Sequence, residues 1–127
     1  MERLFFILAG INGFLGVALG AFGAHGLRSA LANVSDGPRR LEVWQTAAHY
    51  QQVHALALAL AGYLATRSAG ALANAAGHLF QAGILVFSGS LYLLSFTGVR
   101  ALGAITPIGG LCLLAAWACV IAVAARL

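Results

Sequence analysis

Four long apolar stretches, at roughly 4–24, 44–65, 75–96 and 102–125, are separated by short segments that hold the charged residues. Each stretch has the ~20 residues that a helix needs to cross a hydrocarbon core ~30 Å thick. A helix satisfies its own backbone hydrogen bonds, which lipid cannot do for it. Strands of a membrane barrel are about half that length and alternate polar with apolar residues; no such alternation runs through this chain. The pattern predicts a single all-α domain over 1–127: an integral membrane, antiparallel up-down four-helix transmembrane bundle with a longer loop after helix one.

The connections support that order. The first, at about 25–42, is the longest and contains the turn signal Ser35-Asp36-Gly37-Pro38. The second and third, at about 66–74 and 97–101, are short, which favours antiparallel neighbours. The first stretch begins Met1-Glu2-Arg3 and turns apolar at once, as a signal peptide does. Its apolar run exceeds the usual ~7–15 residues of such a peptide, and it carries a glycine stripe that a discarded segment would not need. It is expected to remain as helix one.

Composition agrees with the pattern: 61% of residues are hydrophobic, 8% are charged and no lysine occurs. Soluble domains carry about 25% charged residues. Mean hydropathy is +0.92. The net charge of +4 comes from seven arginines at segment ends, where they meet lipid headgroups, so no nucleic-acid partner is expected. Arg28, Arg39, Arg40 and Arg100 would lie opposite the termini, and Arg3, Arg67 and Arg126 beside them. That balance favours a cytoplasmic first loop. Cys112 and Cys119 are separated by ~10 Å of helical rise and read as packing residues rather than a disulfide.

Helix one carries Gly13, Gly16, Gly20 and Gly23 within about 80° of its surface. Gly16-x-x-x-Gly20 is the small-residue spacing that lets membrane helices approach closely. These four are the expected helix-packing residues, inside the bundle or between protomers.

Polar side chains gather by depth. On helix two, Gln45, His49 and Gln52 share one face, while Thr46, Tyr50 and His54 share an adjacent one. On helix three, Gln81, Ser88, Tyr92 and Ser95 fall within about 60° of one another. Unpaired polar groups in hydrocarbon are costly, so these should converge beneath the first loop. The candidate cluster comprises His25, Trp44, Gln45, Thr46, His49, Tyr50, Gln52, His54, Ser88, Ser90, Tyr92 and Thr106. Within it, His25, His49 and Tyr92 are expected to share one network or small cavity.

A membrane histidine more often bonds a neighbouring helix than a metal. His49 and His54 are spaced i, i+5, off a common face, and only Glu42 offers a nearby carboxylate. His25 and His49 could flank a haem, but nothing specifies one, so neither a metal nor a cofactor is expected. Glu2, Asp36 and Glu42 are the only acids, and all lie outside the spans. No nucleophile–base pair is recognisable, and no enzyme is expected.

The blocks Gly20-Ala-Phe-Gly-Ala-His-Gly-Leu27, Trp44-Gln-Thr-Ala-Ala-His-Tyr-Gln, His54-Ala-Leu-Ala-Leu, Gln81-Ala-Gly-Ile, Phe87-Ser-Gly-Ser-Leu-Tyr92 and Ile105-Thr-Pro-Ile-Gly-Gly110 resemble the YgdD/YwdK-like family of small bacterial membrane proteins, a domain of unknown function of the DUF423 / UPF0382 type. The resemblance runs nearly end to end. It implies four spans and a multi-pass position in the cell inner membrane, and it supplies no activity or catalytic residues.

Two functions follow as expectations. In the leading one the protein sits in the lipid bilayer and acts by helix–helix association, as a homo-oligomer or as an accessory subunit beside a membrane-protein partner. In the alternative it is a small binding or conducting protein for a lipid, quinone, proton or metal, using the histidine/tyrosine cluster.

Overall fold

The structure, a computed structural model describing residues 1–127, is all-helical. Helix α1 covers Glu2–Ala30. It contains a wide, π-type turn at Gly23–Leu27. Helix α2 covers Gly37–Arg67, with Pro38 in its first turn, where its missing N–H costs nothing. Helix α3 covers Ala71–Thr97, with a second wide turn at Ile84–Ser88. A short 3₁₀ turn, Arg100–Ala104, leads into helix α4, Thr106–Ala124, which again has a proline in its first turn.

The helices extend beyond the apolar runs. The expected longer loop after helix one is the largest departure. The helix continues past His25 to Ala30, and α2 starts at Gly37, leaving only residues 31–36 between them. Arg28, Arg39 and Arg40 therefore stand on helical turns. The physical reason is that Gly26 and Arg28 interrupt hydropathy without interrupting the backbone bonding, which Leu27 carries on to Leu31.

Three helices are long and apolar enough to cross a membrane: α1, α3, and the last one counted from Arg100. The 31-residue α2 is not among them. The glutamines and histidines between Gln45 and His54 lower its hydropathy. Many of those side chains point inward, because α2 packs between α1 and α3, while α3 packs between α2 and α4.

The pairings are antiparallel. Phe5, near the start of α1, meets Gly62, near the end of α2, and Gly77, near the start of α3. At the other end, Gly23 meets Trp44, whose ring packs edge-on against Tyr92. Between these ends lies the core of Phe5, Ala57, Leu58, Ala61, Ala76, Phe80, Leu113 and Ala116, contributed by all four helices. Small residues set the spacing. A Cβ at Gly16 would stand 2.8 Å from Cγ of Gln52, and one at Gly20 would stand 3.2 Å from Nε2 of the same residue. Gly23 lies directly under the Trp44 ring, and Gly109 of α4 directly against the Phe87 backbone. A Cβ at Gly13 would meet nothing within 4 Å, so no close approach of helices within the chain depends on it.

Arg40 closes one end of the bundle. Its Nε donates to the Ser95 carbonyl and its Nη2 to that of Phe96, each at 2.7 Å. These are carbonyls that the end of α3 leaves without helical partners. Ser95 Oγ donates back to the Arg40 carbonyl. Gly98, at φ +75°, turns the chain away beneath the guanidinium, a left-handed conformation that glycine adopts without strain.

Gly16→Leu and Gly109→Leu place side chains where neighbouring atoms already stand. Each is expected to destabilise the protein by about 1–3 kcal/mol or more. Thermal unfolding in detergent, followed by circular dichroism, measures this.

Candidate functional site

The buried polar groups of α1, α2 and α3 form one ladder. Tyr92 Oη donates to Gln51 Oε1 at 2.7 Å. Gln51 Nε2 donates to Asn12 Oδ1 at 3.3 Å. Asn12 Nδ2 donates to Gln81 Oε1 at 2.8 Å, and also to the carbonyl of Leu8 one turn back. The order has a direction, from a phenol through three amides. The three amides carry no titratable proton near neutral pH, and the ladder they form joins three helices. A second set ties α2 to its neighbours. Gln52 Nε2 donates to the Gly16 carbonyl at 2.8 Å, Trp44 Nε1 to that of Leu19 at 2.7 Å, and Ser88 Oγ to that of Ala47 at 2.8 Å. No buried side-chain nitrogen or oxygen lacks a partner.

His54 is fixed from two sides. The Trp117 Nε1–H can only donate, and it reaches His54 Nε2 at 3.2 Å. Nε2 is therefore the acceptor and the proton sits on Nδ1, which donates to the Tyr50 carbonyl at 2.8 Å. A neutral His54 thus latches α4 to α2. Ser90 and Thr106 latch α4 to α3, with hydroxyls 2.6 Å apart. Ser90 donates to the Phe87 carbonyl at 3.0 Å, so Thr106 is the donor to Ser90.

Of the residues singled out from sequence, Trp44, Gln52, His54, Ser88, Ser90, Tyr92 and Thr106 make inter-helix bonds in which they donate or accept. His25, Gln45, Thr46 and His49 do not join them; all four are exposed. Thr46 bonds only the Glu42 carbonyl of its own helix. The expected network uniting His25, His49 and Tyr92 is absent, since only Tyr92 points inward. Helix phase explains this. The inward face of α2 is centred near Gln51, between its two polar stripes, so Gln45 and His49 rotate outward. Tyr50 is half-exposed, with its ring 4.4 Å from that of Phe87. Of the ladder only Tyr92 belongs to the candidate cluster; Gln51, Asn12 and Gln81, and Trp117 of the latch, lie outside it. A lone asparagine within an apolar span was a usable signal, whereas nothing in sequence links Trp117 to His54.

Two lateral grooves open beside α2. One, of about 570 Å³, lies between α2 and α4 against Tyr50, His54, Phe87, Pro107 and Trp117. A smaller one of about 300 Å³, bounded by His49, Tyr50, Val53, His54 and Trp117, adjoins it. Across the helix, a groove of about 440 Å³ runs between α1 and α2 along Gly10 and Gly13. His, Cys, Asp and Glu side chains gather nowhere in threes.

A family described as a protein of unknown function (DUF423) matches residues 19–110. The membrane protein YwdK of Bacillus subtilis is 42% identical over 125 residues, covering 98% of both chains. Membrane proteins of Staphylococcus aureus and Staphylococcus haemolyticus are each 43% identical over 115 residues, covering 91% of this chain and 89% of theirs. No solved structure matches.

Asn12→Leu strands Gln51 Nε2 and Gln81 Oε1 inside the bundle. The expected loss of stability is about 1–3 kcal/mol. A double-mutant cycle of Asn12→Leu with Gln51→Leu, read by unfolding in detergent, is expected to give a coupling of about 0.6–1.7 kcal/mol, the range of inter-helix bonds in membranes.

Proposed function

This chain belongs to the DUF423 family of membrane proteins of unknown function, and from there we propose that it crosses the bilayer four times and works by helix–helix association. It acts as a homo-oligomer or as an accessory subunit of a membrane complex, and it catalyses no reaction. The observation that carries this reading is the part of the glycine stripe that the chain does not use. Gly16, Gly20 and Gly23 are covered by α2, whereas a Cβ at Gly10 or Gly13 would meet nothing within 4 Å. Those two glycines floor the groove of about 440 Å³ between α1 and α2. A small-residue track open to lipid is the surface on which another membrane helix packs closely.

The fourth crossing is α2. Its length of 31 residues suffices, and the bonds of Trp44, Gln51, Gln52 and His54 to neighbouring helices lower the cost of carrying them through hydrocarbon. A non-catalytic role is supported by what the hydroxyls do: Ser88 is committed to a backbone carbonyl, and Ser90 and Thr106 to each other. We place the protein in the cell inner membrane, with both termini on one side and the α1–α2 connection in the cytoplasm.

Two experiments test this. Gly10→Leu with Gly13→Leu is expected to lower the oligomeric mass in mild detergent, or to release a co-purifying subunit, with an unfolding temperature close to wild type. A wild-type protein that is monomeric and unaccompanied, or an assembly indifferent to the double variant, rejects the reading. Reporter fusions at Met1 and Leu127 are expected on the same side of the membrane, and opposite sides would exclude four crossings.

A further inference from the structure

The face of α2 turned toward α4 has a different character. His49 follows Ala48, which packs level with Gly20 of α1, and Gly20 lies about 12 Å of helix below Arg28. His49 is exposed, and with α2 crossing the bilayer as proposed above, the reading on which this inference rests, it stands at hydrocarbon depth. Its ring has only edge contact with Tyr50, at 6.2 Å between centroids. Neither the His49 ring nor the Tyr50 hydroxyl has a hydrogen-bond partner in the chain, whereas the nearby His54 has both ring nitrogens engaged. An exposed donor in lipid gains from any ligand that accepts its hydrogen bond.

The adjoining grooves, of about 570 and 300 Å³, share Tyr50, His54 and Trp117. Their size is that of small-molecule sites, roughly 300–1,000 Å³. Their lining is aromatic and apolar. The Tyr50 and Phe87 rings are in contact, with centroids 4.4 Å apart, and Trp117, Leu111 and Leu114 line the larger groove with them. The wide turn at Ile84–Ser88 contains Phe87, and the close approach of Gly109 to the Phe87 backbone brings α4 against it. No arginine, aspartate or glutamate lines either groove, so a charged headgroup would find no counter-ion.

We propose that this groove binds a membrane-dissolved compound of the quinone class, a planar uncharged ring bearing carbonyl oxygens on an apolar tail. The ring lies against the Tyr50–Phe87 pair and Trp117, a carbonyl oxygen accepts from His49 or from the Tyr50 hydroxyl, and the tail runs past Leu111 and Leu114 into lipid. This is a binding site separate from the Gly10–Gly13 face, and it stands whether or not that face recruits a partner.

Full-length protein in nanodiscs is titrated with decylubiquinone while tryptophan fluorescence is followed. Trp117 lines the groove and Trp44 does not. The expected result is saturable quenching, with the Kd raised roughly tenfold in His49→Leu/Tyr50→Phe, a loss of the size of a neutral hydrogen bond or two. Gly110→Leu fills the groove, because a Cβ there has only Phe87 Cδ2 at 3.9 Å. It is expected to abolish saturation without changing the unfolding temperature. Quenching that rises linearly with quinone in the bilayer, or saturates identically in both variants, overturns the proposal. So does equal displacement of the quinone by 1-hexadecanol, which would make the groove a site for any alkyl chain.

Discussion

The structure depends on burying amides where water cannot reach them. Asn12, Gln51 and Gln81 each have an oxygen and a nitrogen to satisfy, and hydrocarbon satisfies neither. Each unpaired group would cost roughly 1–3 kcal/mol. The ladder pairs the Tyr92 hydroxyl, both polar atoms of Gln51 and of Asn12, and the oxygen of Gln81, and it forms only when α1, α2 and α3 stand at one rotation and one height. Apolar packing alone drives no such choice in a membrane, because lipid tails are as apolar as leucine. The amides therefore supply register, and the apolar core fills the space they define.

That constraint explains why the least apolar helix is in the middle. Helix α2 carries most of the polar side chains and is packed between α1 and α3. Its partners are built to admit it. Gly16, Gly20 and Gly23 let its backbone approach α1 closely enough for Gln52 and Trp44 to reach main-chain carbonyls. Ser88 of α3 does the converse, reaching the carbonyl of Ala47. Glycine spacing and hydrogen bonding are two parts of one contact, since a larger residue at Gly16 would displace the side chain that makes the bond.

Helix α4 is held differently, with no amide. Its ties are the His54–Trp117 bond and the Ser90–Thr106 pair, together with Leu113 over Gly83 and Gly109 against Phe87. The latch consumes the hydrogen-bonding capacity of His54 and leaves that of His49 free. Two histidines five residues apart on one helix thus differ, His54 joining helices and His49 exposed beside an aromatic groove.

The sequence by itself determined the class, the helix order and the inward stripe of α3. Spanning-length apolar runs allow little else in lipid. On α3, Gln81, Ser88, Tyr92 and Ser95 stand against an otherwise apolar surface, so their common face could be read, and all four bond neighbouring helices. Only the tertiary structure decided the phase of α2 and the content of the site. The first half of α2 is polar nearly all round, so periodicity could not separate inward Gln51, Gln52 and His54 from outward Gln45, Thr46 and His49. The end of helix one is likewise not legible in hydropathy, which falls at His25 while backbone bonding continues to Ala30. Trp117 lies 63 residues from His54. A bond between two such residues exists because packing brings their helices together, and no local pattern encodes that distance.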